Sequence, residues 1–390
     1  MKIAFIGQKG IPTLSGGVEK HVEKLSARLV ELGHEVTVYT RPHYTPKDLT
    51  TFRGVRLISL PSIATKHLDA ITHTFLATVH ALFQDYEVIH YHSIGPSILS
   101  IVPRILKPKA RVISTFHSRD YFHKKWSVFA KSCLKAAEFF TCKVPERTIT
   151  VSQDLALYAK NFYGCNVVYI PNGAEVEMTA STDALSQWGL KPGRYALSVS
   201  RLVAHKGIHY LIDAFKALED TNKLPNNYKL VIVGAPASTI DYEVSLHARA
   251  RNRSNILFLG EQQGENLAAL FTHAGVFVQP SENEGMSMAL LEAMAYSLPV
   301  IVSDIAPNIE VVRGGYGALF PVKDVTALAQ ELAYFINRPD EAKRLGERAK
   351  GRIDDAFSWD AIARKTAEVY QETIDARAHQ YHWNPNKHVA

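Results

Sequence analysis

Four charged side chains in this chain fall where two strand-to-helix turns could hold them together. Arg201 and Lys206 lie in Ser200-Arg-Leu-Val-Ala-His-Lys-Gly207, directly after the apolar run Tyr195-Ala-Leu-Ser-Val199. A guanidinium and an ammonium at a strand's carboxyl end, just ahead of a helix, suit the neutralisation of a diphosphate. Ordinary surface salt bridges are the plainer alternative. The carboxylates Glu284 and Glu292 lie in Ser281-Glu-Asn-Glu284-Gly-Met-Ser-Met-Ala-Leu-Leu-Glu292. Glu284 falls in the loop after a strand ending at Gln279, and Glu292 in the helix beyond it. Eight residues are just over two helical turns, so both carboxylates can face one cleft from different depths. Paired carboxylates suit hydrogen bonding to several hydroxyls, as in a sugar or a ribose. Glu292 is embedded in the apolar run Met288 to Met294, which argues against a merely exposed helix residue.

Two further signals sit in the first half. Gly16-Gly17 opens a helix, where small residues let a ligand approach the backbone and the helix end offers free N–H groups to a phosphate. A tight turn explains two glycines equally well, and no full G-x-G-x-x-G is present. His117 follows the strand ending Thr115-Phe116, a place where a packed, satisfied histidine is the commoner case. His90 and His92, flanking Tyr91 at an earlier strand end, are weaker candidates.

The elements that must position these residues repeat one plan. Lys2 to Gly7 is a continuous apolar run of the kind buried on both sheet faces. Val18, Val22, Leu25, Leu29 and Leu32 then mark a helix closed by Gly33, and Glu35 to Thr40 reads as the next strand. Val88 to Tyr91, Arg111 to Phe116 and Thr148 to Val151 continue as short parallel strands. A second unit opens at Tyr195 to Ser200 with a helix over Ile208 to Leu218. Its later strands are Lys229 to Gly234, Ile256 to Gly260, Val276 to Gln279 and Pro299 to Ser303. The expected organisation is a Rossmann-like domain over 1–180, a second Rossmann-like domain over 181–358, and a helix with a polar tail over 359–390. That final helix is expected to pack back toward the first domain. Its tail histidines, His379, His382 and His388, lack metal spacing. The fold class is α/β, two doubly wound domains facing an interdomain cleft, with ligands beyond the carboxyl ends of the strands.

Composition narrows the function classes. A chain of 390 residues, 46% apolar and 21% charged, suits two globular domains. No apolar run is long enough to span a bilayer, and Gln8-Lys9-Gly10 interrupts the first apolar stretch before it could act as a secretory leader. Cys133, Cys142 and Cys165, an odd number without metal spacing, fit a reducing compartment. A cytoplasmic location follows, extending to the inner face of a membrane. Residues 101–150 hold 11 basic and 3 acidic residues, a bias that favours an anionic partner unless the face is simply solvated. Within it, Trp126, Phe129, Cys133, Ala136 and Phe140 fall on one helical face, with Lys124, Lys125, Lys131 and Lys135 mostly off it. Such a helix can lie in an anionic membrane interface, or its aromatic stripe can face the domain's own core.

Taken together, Arg201-x4-Lys206 and Glu284-x7-Glu292 in two Rossmann-like halves resemble the family 4 retaining glycosyltransferases of GT-B fold. Ile6-Gly7-x8-Gly16-Gly17-Val-Glu, Thr115-x-His117, Val151-Ser152, Ile170-Pro171-Asn172-Gly173 and Pro280-Ser281 are similar to that family's other landmarks. The resemblance implies that Gly16, with Gly17, contacts the donor diphosphate or the acceptor, and that Arg201 and Lys206 grip the diphosphate. It implies an acceptor-side domain over 1–180 and a nucleotide-sugar-binding domain over 181–358, with Glu284 on donor-sugar hydroxyls, Glu292 on the ribose and His117 against the transferred sugar. The family commonly reads Glu-Gly-Phe-Gly where this chain has Glu284-Gly285-Met286-Ser287, a change in a backbone loop close to the sugar.

No Asp-x-Asp occurs, so the cations rather than a metal are expected to stabilise the leaving diphosphate, and no cofactor is expected. The expected partners are a nucleotide-sugar donor and a glycan or lipid-linked acceptor for cell-surface polysaccharide, with no nucleic acid. Rival readings are a sugar-nucleotide epimerase of the same plan, a dinucleotide-dependent dehydrogenase, which lacks its glycine fingerprint here, and a non-catalytic small-molecule binding protein.

Overall fold

A computed structural model of the chain describes residues 1–65, 68–119, 128–179, 181–236 and 240–381, with side chains at 128–131 and 377–381 left aside. His123, Lys124, Lys125, Trp126, His382 and His388 lie outside the described residues, as do the side chains of Phe129, Lys131 and His379. The chain forms two compact units, Met1–Asn172 with Trp359–Ala390, and Gly173–Ser358.

The first unit is built on eight strands: β1 (Lys2–Ile6), β2 (Glu35–Thr40), β3 (Thr51–Phe52), β4 (Val55–Ser59), β5 (Val88–His92), β6 (Arg111–Phe116), β7 (Arg147–Thr150) and β8 (Val167–Tyr169). Their order is β3-β4-β2-β1-β5-β6-β7-β8, parallel except for the β3–β4 edge pair. Ile3, Ala4, Phe5 and Ile6 are fully buried, as a central strand covered on both faces requires. From β1 the chain steps one way to β2 and later steps the other way from β1's opposite side to β5. That reversal makes the β1/β5 edge a topological switch point, where loops diverge and leave room for a ligand.

Helices α1 (Gly17–Glu31), α2 (Asp69–Leu82), α3 (Ile101–Leu106), α4 (Val128–Lys143) and α5 (Gln153–Tyr163) connect these strands. The second unit carries six parallel strands: β9 (Tyr195–Val199), β10 (Lys229–Val233), β11 (Ile256–Phe258), β12 (Val276–Gln279), β13 (Val300–Ser303) and β14 (Ala318–Phe320). Their order is β11-β10-β9-β12-β13-β14, so a second switch point lies between β9 and β12. Helices α6 (Ile208–Asp220) and α7 (Met288–Ala295) follow β9 and β12. The final helix α8 (Trp359–Tyr381) returns to the first unit. There Tyr370, buried on α8, shares a hydrogen bond of 2.7 Å with His90, and Arg28 of α1 pairs with Asp360 at 2.8 Å.

Helix α2 was not among the sequence expectations, for a physical reason. Its inward face is small or polar (His73, Thr74, Ala77, Thr78), while Ile71, Phe75 and Leu76 point outward. That inverts the pattern by which a core-facing helix is recognised. The stripe expected on α4 also turns out differently. Cys133 and Ala136 are exposed and Phe140 is half-buried, whereas Ala137, Glu138, Thr141 and Cys142 face the interior. A carboxylate occupies the inward side because Tyr158 and Tyr163 of α5 both donate to Glu138 at 2.7 Å.

Candidate active site

In the second unit the β9 and β12 loops meet through backbone first. Gly207 ends the turn Ala204–Lys206 with φ +69, and a Cβ there would stand 1.9 Å from the Pro280 carbonyl oxygen. Only glycine permits that approach. The Glu282 amide donates to the His205 carbonyl at 2.7 Å, locking the two loops together. This places the Lys206 ammonium 2.5 Å from Glu284, a largely shielded, part-buried pair. Ser281 donates to the same carboxylate oxygen at 2.7 Å. Burial pushes the Glu284 carboxyl up, but the Lys206 charge and hydrogen bond, with that of Ser281, outweigh it and hold the group below its ordinary value. His205, beside the pair, is pushed down to about 4 by burial and then by Lys206, so it is neutral at physiological pH.

The neighbouring carboxylate Glu282 is drawn elsewhere, by Tyr210 at 2.9 Å and Lys323 at 3.0 Å, so Glu284 is the inward one. Ser287 caps α7 through the Leu290 amide and donates to Gln279 at 2.5 Å. Gln279 in turn donates to Asn308 at 2.9 Å, and Ser303 donates to the Ser281 carbonyl at 2.5 Å. These bonds fix Gly285-Met286-Ser287 from below, with Met286 buried. A serine at 287 therefore works as a helix cap in this loop. Glu292 is buried on α7, close enough to Tyr296 to help raise its phenol, which burial first pushes up to about 12. Arg201 is exposed, and its guanidinium makes no hydrogen bond or ion pair with a described residue. Of the two cations, Lys206 is thus internally neutralised and Arg201 is available to an anion.

In the first unit, Gly16 sits at φ +106 ahead of α1, where a side chain would meet the Glu19 carboxylate. Glu19 accepts from the Lys9 amide at 3.2 Å and Glu23 from the Thr13 amide at 2.5 Å, so α1 grips the preceding loop. Tyr44 completes the clamp, accepting from the amides of Leu14 and Ser15. Gly17 begins the helix itself.

His117 is buried just past β6, and its Nε2 shares a 3.2 Å hydrogen bond with His92 Nδ1 at the end of β5. Sequence reasoning missed the third member, His21, one turn into α1. His21 Nδ1 donates to Asn172 at 2.9 Å, and its ring lies 4.8 Å from that of His117. Nε2 of His21 and Nε2 of His92 have no partner among the described residues. Burial lowers all three, His21 to about 4 against the opposing Asn172 hydrogen bond, and His92 and His117 well below the usual imidazole range, where neighbouring rings add to the fall. Neutral imidazoles can donate or accept toward a hydroxyl without adding charge. Their nitrogens lie within 4.8 Å of one another and could also hold a metal ion. The spacing Gly17-Val-Glu-Lys-His21, one helical turn beyond the glycine pair, was the available signal.

Solved structures of similar architecture identify the fold class. Sucrose-phosphate synthase from Thermosynechococcus elongatus superposes with a TM-score of 0.81 at 23% identity, covering 96% of this chain and 99% of its own. Anabaena HepE in complex with UDP and glucose gives 0.77 at 20% identity, over 95% of this chain and 100% of that one. The architecture is that of GT-B glycosyltransferases. Residues 15–178 match the family model described as Glycosyltransferase Family 4, and residues 184–352 that of Glycosyl transferases group 1. The chain belongs to these group 1, family 4 glycosyltransferases and is a transferase enzyme. Among its relatives, the phosphatidyl-myo-inositol mannosyltransferase of Mycolicibacterium smegmatis is 27% identical over 372 residues, covering 93% of this chain and 91% of the relative. An uncharacterized glycosyltransferase of Methanocaldococcus jannaschii is 28% identical over 400 residues, covering 96% and 99%.

Proposed function

We propose that this glycosyltransferase is retaining and metal-independent, and moves a sugar from a nucleotide-diphosphate donor to a glycan or lipid-linked acceptor in cell-surface polysaccharide synthesis. The observation that carries the reading is the part-buried Lys206–Glu284 pair beside the open cation Arg201 at the β9/β12 switch point. That arrangement offers one side chain to a leaving diphosphate and a poised carboxylate to sugar hydroxyls. The complex of HepE with UDP and glucose supports such a donor, and the phosphatidyl-myo-inositol mannosyltransferase supports an acceptor at a membrane surface. Glu292 would hold the ribose, Gly16 and Gly17 a phosphate or the acceptor, and neutral His117 a hydroxyl of the transferred sugar.

In the reaction the bond from the anomeric carbon to the diphosphate oxygen breaks, and the acceptor oxygen bonds to the same face of that carbon. The departing phosphate takes the acceptor's proton. Arg201, with Lys206, stabilises the negative charge that grows on the leaving group. Replacing Arg201 with Ala is expected to lower turnover by at least ~100-fold, the scale of a lost preorganised contact. Release of free nucleoside diphosphate from UDP-, GDP-, ADP- and dTDP-sugars measures it, after a thermal-shift screen has chosen the donor. A folded variant with near-normal turnover would remove Arg201 from the donor site.

Activity is expected to survive EDTA, because the sequence has no Asp-x-Asp and the open cation Arg201, next to Lys206, can take up the charge of the leaving group. The His21, His92 and His117 nitrogens make this a real test, since they supply a donor set a divalent ion could use. Loss of turnover on chelation, restored by manganese or magnesium, would overturn metal independence.

A further inference from the structure

We propose that His21, His92 and His117 form a three-imidazole site for a transition ion of the zinc class, and that an ion seated there shuts off sugar transfer. The rings come from three separate elements. His21 stands one turn into α1, His92 ends β5 and His117 lies just past β6, and the β1-β5-β6 order gathers them at one carboxyl edge of the sheet. One nitrogen from each lies within 4.8 Å of those of the other two. Three imidazoles around a tetrahedral ion, with metal–nitrogen bonds of about 2.0–2.1 Å, hold their ring centres roughly 5 Å apart. Here the centres are 4.8 Å apart for His21 with His117, and 5.5 Å for His92 with each of the others. Differences on the order of 0.5 Å are within reach of small side-chain rotations.

The hydrogen bonds around the rings suit ligation better than packing. His21 Nδ1 donates to Asn172 Oδ1 at 2.9 Å, which puts the proton on Nδ1 and leaves the lone pair on Nε2. A metal-binding histidine is held in this way, by a hydrogen bond from its other nitrogen. Nε2 of His21 and Nε2 of His92 are both buried and have no partner among the described residues. Buried polar atoms are nearly always satisfied, so two such nitrogens in one cluster mark a place built for a ligand. His92 Nδ1 and His117 Nε2 already share one proton at 3.2 Å, close to the separation of two ligands on one tetrahedral ion. Phe5 packs edge-on against His92 at 4.9 Å and Trp359 against His21 at 5.6 Å, so aromatic rings wall the site.

The donor set says which ion it takes. Three imidazole nitrogens suit zinc, nickel or copper, whereas magnesium and calcium prefer oxygen. Three protein ligands also leave a fourth position for solvent or a hydroxyl. The ion is a brake and not a cofactor, for an electrostatic reason. As the bond to the diphosphate breaks, positive charge develops on the sugar ring. A neutral His117 tolerates that charge, but a dication held by the same ring opposes it across an apolar wall. This inhibition rests on the reading of His117 as a contact of the transferred sugar, whereas the ion site rests on the histidines alone.

The experiment is titration of the full chain, stripped of metal, with cobalt(II) read by its visible absorption, followed by displacement with zinc. One ion per chain with the spectrum of four-coordinate, nitrogen-bound cobalt is expected. His92→Gln, which removes a ligand, is expected to bind at least ~100-fold more weakly, and Asn172→Ala, which leaves every ligand in place, about 10–100-fold more weakly. The variant His379→Gln, His382→Gln, His388→Gln is expected to bind like the wild type, which keeps the tail histidines apart from the site. Zinc is expected to raise the melting temperature of the wild type and not that of His92→Gln, so a misfolded variant is recognised by its own melting curve. Release of nucleoside diphosphate is expected to fall at least ~10-fold at saturating zinc, to return with EDTA and to be unmoved by magnesium. Cobalt binding that the tail variant abolishes, or that survives unweakened in both His92→Gln and Asn172→Ala, would overturn the site. Undiminished turnover with the site full of zinc would overturn the inhibition. A chain that releases no nucleoside diphosphate from any sugar nucleotide fails the transferase reading instead, and cobalt binding still decides the site.

Discussion

Replacing Glu284 with Gln is expected to lower turnover of the nucleotide sugar by at least ~100-fold while tightening the binding of free nucleoside diphosphate. Both effects come from one geometry. Glutamine keeps the shape of the side chain and an acceptor for Ser281, but removes the charge that faces Lys206 at 2.5 Å. A part-buried ammonium left without its partner is destabilising, so the unliganded variant melts lower than the wild type. A diphosphate can then supply the missing negative charge, and the variant gains more from binding it than the wild type does. Sugar hydroxyls lose a charged acceptor at the same time, which removes stabilisation where the glycosidic bond breaks. Calorimetric titration with the nucleoside diphosphate and steady-state release assays read the two directions separately. Near-normal turnover in a folded variant would end the assignment of Glu284 to the donor site. Unchanged diphosphate affinity would instead show that Lys206 does not serve the phosphates.

Acid is expected to begin destabilising the first unit at about pH 6.5, before carboxylates titrate. His21 and His73 are held down to about 4 by burial, and His90, His92 and His117 lie further below the usual value. A histidine whose folded pKa is depressed is protonated first in the unfolded chain. Its contribution to stability is complete above the unfolded pKa of about 6.5 and falls away as the pH drops from there toward the folded value. For a drop to about 4, as at His21 and His73, the loss reaches roughly 3 kcal/mol each. Two such groups remove an amount comparable to the whole stability of an ordinary domain, roughly 5–15 kcal/mol. Glu284 adds nothing in this window, because its depressed carboxyl loses its contribution only below its unfolded value. Urea midpoints measured from pH 7.5 downward are expected to fall steadily below about 6.5. His21→Gln, which deletes one titrating ring, is expected to flatten that slope. A midpoint independent of pH down to about 5 would contradict the neutral, buried state of these rings.

Much of this protein can be read along the chain. Continuous apolar runs such as Ile3 to Ile6 and Leu230 to Val233 declare central strands, because a strand covered on both faces has no polar side to show. The motif pair Arg201/Lys206 and Glu284/Glu292 declares the family, with Arg201, Lys206 and Glu284 in the turns that follow such strands and Glu292 in the helix beyond. Helix α2 escaped notice since its small residues face inward and its large ones outward. Local periodicity assumes the reverse.

What the tertiary structure alone decided is partnership. Lys206 and Glu284 are 78 residues apart and meet because β9 lies beside β12 and Gly207 lets the Pro280 carbonyl approach. His21, His92 and His117 belong to α1 and to the ends of β5 and β6, and only the β1-β5-β6 order of the sheet collects them. Side-chain type and spacing carry information about the nearest turn or strand. Strand order is set by the packing of the whole unit, so which charge faces which, and which histidine is buried neutral, cannot be read from local pattern.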